Sequence, residues 1–164
     1  MNVIKNILFI FILLLIYSNT YSAETTSMAE RICLAKNIYF ESGNQPLAGR
    51  LAVAHVTLNR VIDQQFPNSI CGVVYQANWH KNWKGDMVPT LRQCQFSWFC
   101  DGKSDEPTDS KTWIESLEVA SKLLLIRPLD ITEGALWYHA DYSKPYWSNH
   151  LKRTVTIENH LFYK

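Results

Sequence analysis

The chain has 164 residues, a length that allows one domain of ordinary size. Hydrophobic residues make up 47% of it and charged residues 19%, which excludes the disordered and collagen-like classes of protein. The formal net charge is +1 and no basic run is present, so the sequence gives no electrostatic indication that it binds nucleic acid.

Residues 1–22 have the pattern of a secretory signal peptide. Lys5 precedes an unbroken apolar run over residues 7–16, which is shorter than the ~20 residues that a membrane-spanning helix needs. Thr20 and Ser22 fit the small residues of a cleavage site, so we place cleavage after Ser22 and one mature domain at 23–164. An uncleaved membrane anchor is the alternative. The pattern predicts an exported protein, periplasmic or secreted, with no stable membrane insertion after cleavage.

Export changes how the four cysteines are interpreted, because thiols pair outside the reducing cytosol. Cys94 and Cys100 enclose only residues 95–99, which favours a bridge between them and leaves Cys33 to pair with Cys71. Four cysteines allow three connectivities, so this one is the favoured arrangement among three. A zinc site would need close ligand pairs such as C-x-x-C, and the sequence has none.

Apolar spacing and stop signals predict three long helices, over about residues 28–39, 46–62 and from 109 onward, with a short helix after Ser69. Periodicity is lost between 78 and 105, which predicts a long structured loop. The last part predicts strands and turns. They are a strand at 135–138, a turn at 143–145, and a closing hairpin of 154–157 and 161–163. The predicted fold class is α+β in a single domain.

Glu41 is the main candidate for catalysis. It follows the apolar residues 38–40 at the end of the first predicted helix and precedes a glycine-containing turn. The negative end of the helix dipole and the apolar neighbours both disfavour its charged form, so both raise its pKa. A carboxylic acid that keeps its proton near neutrality is what protonation of a glycosidic oxygen requires. An ordinary solvated glutamate at a helix end is the alternative.

Several segments resemble one family in their order along the chain. Residues 35–46 (AKNIYFESGNQP) and 49–61 (GRLAVAHVTLNRV) are similar to the opening of the SleB/CwlJ-type cell-wall hydrolases, the family of the spore-cortex-lytic enzymes. The later segments that agree are 69–76, 94–98, 135–140 with 145–147, and 159–163. The resemblance therefore spans nearly the whole mature chain. Family members often have glycine where Glu158 stands, and the segment 78–92 is longer than expected.

The resemblance implies a mainly helical, lysozyme-like domain with a small C-terminal β-hairpin, acting on bacterial peptidoglycan with Glu41 as the catalytic acid. It favours a lytic transglycosylase, in which Glu41 protonates the bond between N-acetylmuramic acid and N-acetylglucosamine and then acts as a base on the 6-hydroxyl. Muramidase-type hydrolysis of the same bond is the alternative, and it needs a second carboxylate. The candidates for it are Asp86, Asp101, Asp105, Glu106, Asp141 and Glu158.

All six tryptophans lie from Trp79 onward, and amphipathic aromatic rings can cover the apolar faces of sugars. The predicted contacts to the glycan are Gln95, Ser97, Trp98, Tyr138, His139 and Trp147. Packing in the core is the alternative role for the aromatic members of this set, and a structural role is the alternative for His139.

Two other functions compete with cleavage of the glycan. A zinc amidase that cuts the peptide stem would need clustered ligands, and the five histidines form no H-E-x-x-H or comparable motif. A non-catalytic glycan-binding domain would explain the aromatic residues but not the acid at Glu41. We expect no metal and no cofactor, peptidoglycan glycan strands as the partner, and a monomer.

Overall fold

The computed structural model describes residues 27–164. The first helix, α1, covers residues 27–42. It is followed by α2 (Leu47–Ile62), α3 (Ile70–Val74) and α4 (Ser110–Ile126). The predicted signal peptide, residues 1–22, lies outside the described residues. Within 27–164, no helix combines the length and the apolar character that crossing a membrane requires.

The strands form two small antiparallel sheets. A hairpin of β1 (Ala77–Lys81) and β2 (Met87–Cys94) comes first, and a 3₁₀ helix at Ser97–Cys100 follows it. The second sheet contains β3 (Trp137–Ala140), β4 (Arg153–Ile157) and β5 (His160–Tyr163) in the order β3-β5-β4. A second 3₁₀ helix, Tyr146–Asn149, lies between β3 and β4. The fold class is α+β, as predicted.

The helices enclose the main core, and α2 also covers the second sheet. Leu34, Ile38, Val73 and Leu123 are among the buried side chains of the main core. A smaller cluster joins α2 to the sheet and contains Ala52, Val56, Ala135 and Phe162. Because α2 is buried on both sides, it fixes the sheet relative to α1.

A buried polar network fixes the end of α1. Asn37 Nδ2 of α1 donates to the hydroxyl of Thr57 on α2 at 3.0 Å, and Trp98 Nε1 donates to Asn37 Oδ1 at 3.0 Å. The Trp98 ring stacks on Phe40 with a centroid separation of 4.7 Å. Buried hydrogen bonds of this kind are costly to break, so the last turn of α1 has a defined position.

The structure confirms the favoured disulfide connectivity. Cys33 pairs with Cys71, which joins α1 to α3, and Cys94 pairs with Cys100, which joins the end of β2 to the first 3₁₀ helix. Among the described residues no cysteine is free.

Three expectations about local structure were wrong. The segment 78–105 is not a loop, since it contains most of the β1–β2 hairpin and the 3₁₀ helix. Most residues of β1 are exposed and β2 has no regular alternation of burial, so neither strand shows the period of two that marks a half-buried strand. The strand predicted at 135–138 is β3, two residues later, because pairing with β5 sets its register. The turn predicted at 143–145 closes earlier, where Ser143 N donates to Ala140 O at 2.9 Å.

Candidate active site

Glu41 lies in the last turn of α1, which extends to residue 42 rather than ending at residue 39 as predicted. The helix ends at Gly43, whose backbone N–H donates to Tyr39 O at 3.1 Å. A side chain at this position would meet that carbonyl oxygen, because an added Cβ would lie 2.4 Å from it. Arg50 of α2 donates to Gly43 O at 2.7 Å and so stabilises the negative end of the helix.

Tyr138 of β3 contacts the candidate acid directly. Its hydroxyl donates to Glu41 Oε2 at 2.8 Å, across the boundary between α1 and the second sheet. Glu41 Oε1 accepts no side-chain hydrogen bond from the described residues. One oxygen of the carboxyl group is therefore held in place, and the other is available to a ligand.

Arg60 of α2 is a buried cation close to this pair. It is 3% exposed, and its Nε donates to Leu136 O at 2.7 Å. The guanidinium lies over the ring of Phe96, 5.1 Å from the centroid. With the amide of Gln95 oriented to present its oxygen, that oxygen accepts from the two terminal nitrogens of Arg60 at 3.2 and 3.3 Å.

Burial and nearby polar or charged groups have opposite effects on the pKa of Glu41. Burial raises the pKa of Glu41, while the Tyr138 hydroxyl and the charge of Arg60 lower that pKa in part. Burial also raises the pKa of Tyr138 well above its usual value, so its hydroxyl keeps its proton. The pKa of Arg60 falls to about 10 through burial, which leaves the guanidinium charged at neutral pH.

Three adjoining cavities meet at Glu41. The central cavity, about 660 Å³, is lined by Ser97, Asp101, Tyr138 and His139 among others. The helix-side cavity, about 480 Å³, extends toward Asn44, Gln45 and Thr112. The inner cavity, about 270 Å³, extends toward Arg60, Gln95 and Trp147. Glu41 lines all three of these adjoining cavities, which together are called the groove below.

All six residues predicted to contact the glycan line this groove, but they are not equally accessible. Ser97 is exposed, and Gln95, Trp147 and His139 are partly buried. Trp98 is only 7% exposed and belongs to the main core. Tyr138 contacts Glu41, so its observed role is to hold the acid.

His139 has structural partners for both ring nitrogens. Nδ1 donates to Ala140 O at 2.8 Å, and Nε2 shares a hydrogen bond of 2.9 Å with the hydroxyl of Tyr163. Its ring stacks on Tyr163 with a centroid separation of 5.2 Å, and Trp147 lies edge-on at 5.6 Å. The fold thus supports the structural alternative for His139, with the ring still at the groove wall.

Among the groove residues that were not predicted from the sequence, Arg60 and His160 have the most distinctive surroundings. His160 lines both the central and the helix-side cavities, and its Nδ1 is buried without a partner among the described residues. Burial lowers the pKa of His160, which favours its neutral form. Both residues lie in the segments 49–61 and 159–163, which carry the family resemblance. This resemblance is the sequence signal that could have identified them.

Asp101 is the one carboxylate other than Glu41 that lines these three cavities in the described chain. Its Oδ1 accepts from the backbone N–H of Lys103 at 2.8 Å, and its Oδ2 lies 3.6 Å from Lys103 Nζ. Over residues 27–164, no group of three His, Cys, Asp or Glu side chains is placed to hold a metal ion.

Comparison with known families finds a match over most of the chain. The model of a family described as Cell Wall Hydrolase matches residues 44–163, a range that begins three residues after Glu41. Spore cortex-lytic enzymes are similar over a shorter stretch of 43 residues, or 26% of this chain. The identity is 44% for the Bacillus cereus enzyme and 42% for the Bacillus subtilis enzyme. The match spans only 17% and 14% of the length of those two relatives.

Two solved structures have a similar fold over most of their length. The catalytic domain of the Bacillus cereus SleB protein is 28% identical, with a TM-score of 0.58 over 83% of this chain and 91% of that domain. The catalytic domain of the germination-specific lytic transglycosylase SleB from Bacillus anthracis is 27% identical, with a TM-score of 0.59 over 82% and 93%.

Proposed function

The chain belongs to the cell wall hydrolase family, and from that premise we propose that it is a lytic transglycosylase of peptidoglycan. It cleaves the bond between N-acetylmuramic acid and N-acetylglucosamine, with Glu41 as the general acid and then the general base. The description of the Bacillus anthracis structure as a lytic transglycosylase supports this choice of reaction.

The observation that carries the proposal is that Glu41 lines every cavity of the groove. Whichever of the three cavities a strand occupies, this carboxyl group lies in its lining. The raised pKa keeps the group protonated toward neutral pH, as proton donation to a glycosidic oxygen requires. Glu41 Oε1 is the oxygen that would carry the proton, since Oε2 accepts from Tyr138.

The reaction has two proton transfers at the same carboxyl group. In the first, Glu41 protonates the glycosidic oxygen, and the bond from that oxygen to C1 of N-acetylmuramic acid breaks. In the second, the Glu41 carboxylate takes the proton of the 6-hydroxyl of that sugar, whose oxygen bonds to C1 and closes a 1,6-anhydro ring. Glu41 ends protonated, as it began, and no water is consumed.

This route suits a site with a single buried carboxyl group. The attacking hydroxyl belongs to the substrate, so the reaction gains from effective molarity and needs no positioned water. Tyr138 and Arg60 favour the carboxylate that forms after the first step, and burial favours the acid that is needed before it. Because these influences oppose each other, the pKa of Glu41 is a compromise between the high value that suits the first step and the lower value that suits the second.

The remaining groove residues bind the glycan in this proposal. Ser97 and Gln95 supply polar groups, and Trp147 and His139 supply aromatic rings. Export to the periplasm or the outside of the cell fits the two disulfides, which form and persist in oxidising compartments.

Hydrolysis of the same bond is the second candidate, and the observation that favours it is Asp101 in the central cavity. In a two-carboxylate mechanism Asp101 would act as the nucleophile or would activate water. Its hydrogen bond to Lys103 N and its proximity to Lys103 Nζ hold it at the rim of the cavity, which favours a structural role.

The test is mass spectrometry of the soluble fragments released from purified sacculi by the wild type and by Glu41→Gln. We expect anhydromuramic ends from the wild type, and a loss of at least about 10²-fold in release by the variant. Glu41→Gln preserves the shape of the side chain, so equal thermal stability of the two proteins is the control for folding.

Other products would change the proposal in defined ways. Reducing ends, heavier by one water, would identify hydrolysis. Free stem peptides with intact glycan would identify an amidase and remove Glu41 from the catalytic role. Wild-type rates of release by Glu41→Gln would also contradict its assignment as the acid.

A further inference from the structure

The groove does not end at the inner cavity. A further cavity of about 460 Å³, the hairpin cavity, is lined by Gln76, Ala77, Asn78, Gln93, Cys94 and Gln95. It shares Cys94 and Gln95 with the inner cavity, which itself reaches Glu41. The two cavities therefore adjoin at the base of the β1–β2 hairpin, the hairpin that contains the segment 78–92, which is longer than the family resemblance leads one to expect.

The hairpin cavity is lined largely by side-chain amides. Asn78 Nδ2 donates to Gln93 Oε1 at 2.9 Å across the two strands, and both residues are exposed. This bond leaves Asn78 Oδ1, an acceptor, and Gln93 Nε2, a donor, without hydrogen-bond partners in the described chain. The free acceptor and the free donor can each form one hydrogen bond with a ligand, for example with the N–H of one amide and the C=O of another.

The hairpin itself exposes aromatic and positively charged side chains. Trp83 is 89% exposed and Trp79 is 47% exposed, so both rings are accessible to a ligand. Residues 77–94 carry three cations, Lys81, Lys84 and Arg92, against one acid, Asp86. None of these cations forms an ion pair within residues 27–164, so the surface has unpaired positive charge.

The hairpin is held in a defined shape at both ends. At its base, the Cys94–Cys100 disulfide ties β2 to the first 3₁₀ helix, and Trp79 packs edge-on to Phe99 at 5.9 Å. At its tip, Asn82 Oδ1 accepts from the backbone N–H groups of Lys84 and Asp86, each at 2.9 Å. A preorganised surface loses less entropy when a ligand binds than a mobile loop does.

We infer that the β1–β2 hairpin and the hairpin cavity form a distal subsite for the peptidoglycan strand, beyond the sugars at Glu41. The amide pair Asn78–Gln93 binds an amide N–H and an amide C=O of the strand, and Lys81 and Lys84 bind carboxylates of a peptide stem. This inference rests on the proposed function for the identity of the strand. The chemistry of the surface, amides beside cations and exposed rings, fits a ligand that carries amides, carboxylates and sugar faces together.

The test measures binding, which needs no turnover. Pelleting with intact sacculi and with stem-free glycan is compared for the wild type, an amide variant (Asn78→Ala with Gln93→Ala) and a lysine variant (Lys81→Gln with Lys84→Gln). The matched control is Lys122→Gln with Lys152→Gln, which removes the same charge from exposed positions that line none of these cavities. Equal thermal stability of all four proteins checks the fold.

We expect the amide variant to bind about tenfold more weakly, since two hydrogen bonds are lost. Weaker binding to both substrates would identify the bound amides as sugar N-acetyl groups, and weaker binding to intact sacculi alone would identify them as stem amides. We expect the lysine variant to bind intact sacculi about threefold more weakly at low salt, with no change on stem-free glycan.

Two outcomes would overturn the inference. One is wild-type binding of sacculi by both variants. The other is loss of binding to anionic phosphatidylglycerol vesicles in the lysine variant with unchanged binding to sacculi, which would make the hairpin a membrane-docking element. Neither outcome depends on the products of the wild type, so failure of the proposed function and failure of this inference are distinguishable.

Discussion

Glu41 has a buried carboxyl group with two neighbours that favour its ionised form. Burial alone would give a strong preference for the acid, which is suited to the first proton transfer and poorly suited to the second. The Tyr138 hydroxyl, 2.8 Å from Oε2, and the buried charge of Arg60 reduce that preference. Catalysis by one group acting in both directions requires such a compromise in its pKa.

Tyr138→Phe tests this balance at the scale of one hydrogen bond. The hydroxyl lowers the pKa of Glu41, so its removal raises that pKa and extends the protonated form to higher pH. In a profile of kcat/KM against pH, we expect the descending limb on the alkaline side to shift to higher pH. The maximal rate falls, because the carboxylate oxygen is no longer held in place.

Tyr146→Phe is the matched control for this change. Tyr146 is 81% exposed and lines none of the three cavities at Glu41. Its variant is expected to keep the wild-type profile. A limb that stays in place or moves to lower pH in Tyr138→Phe would contradict the assigned effect of the hydroxyl on Glu41.

At the scale of elements, the two disulfides constrain loops of very different length. The Cys33–Cys71 bridge closes a sequence separation of 38 residues and joins α1 to α3, whereas Cys94–Cys100 closes a separation of 6. In the chain-entropy account, a bridge stabilises the fold by restricting the unfolded chain, and the effect grows with the length of the loop.

Replacing each pair by alanine gives a direct comparison. We expect the free energy of unfolding to fall by about 4 kcal/mol without Cys33–Cys71 and by about 2.5 kcal/mol without Cys94–Cys100. Urea denaturation under non-reducing conditions measures both values, and each double variant is the control for the other. Equal losses, or a larger loss for the short loop, would contradict the entropic account for this fold.

The elements that could be predicted from the sequence are those with one buried face. Helix α2 was predicted at residues 46–62 and lies at Leu47–Ile62, because its apolar stripe reflects the core that it covers. The β1–β2 hairpin was missed, because Trp79 and most of its neighbours are exposed. The strand therefore has no alternation of buried and exposed residues that would indicate it. Hydrophobic periodicity reflects the burial of one face, so an element without a buried face cannot be predicted from it.

Site residues divide in a similar way. Glu41 and the six predicted glycan contacts all line the groove, whereas Arg60 was missed, because an arginine in a helix normally indicates a solvated face. Here its charge is buried between Phe96, Leu136 O and Gln95, which lie far from it in sequence. The role of Tyr138 as a partner of Glu41 likewise depends on a contact between α1 and β3 that spacing cannot reveal.

At the scale of the whole molecule, the groove lies where α1 meets the second sheet. Glu41 comes from the helix, Tyr138 from the sheet, and Ser97 from the segment after the hairpin, so three parts of the chain must be placed correctly before the site exists. The network of Asn37, Thr57 and Trp98 connects α1 and the segment after the hairpin to α2, which packs against the sheet. The reaction then depends on how many carboxylates this assembled groove presents to the substrate.

Asp101→Asn decides between one carboxylate and two. If Glu41 acts alone, the variant retains release of fragments within about fivefold, since only a contact at the rim is lost, and its products still carry anhydromuramic ends. If Asp101 is the nucleophile or the base for water, release falls by at least about 10²-fold and the wild-type products carry reducing ends. Quantifying both ends by mass spectrometry, with Asp105→Asn as the control outside these cavities, separates the two mechanisms. The single-carboxylate mechanism is wrong if Asp101→Asn is as inactive as Glu41→Gln while its thermal stability is unchanged.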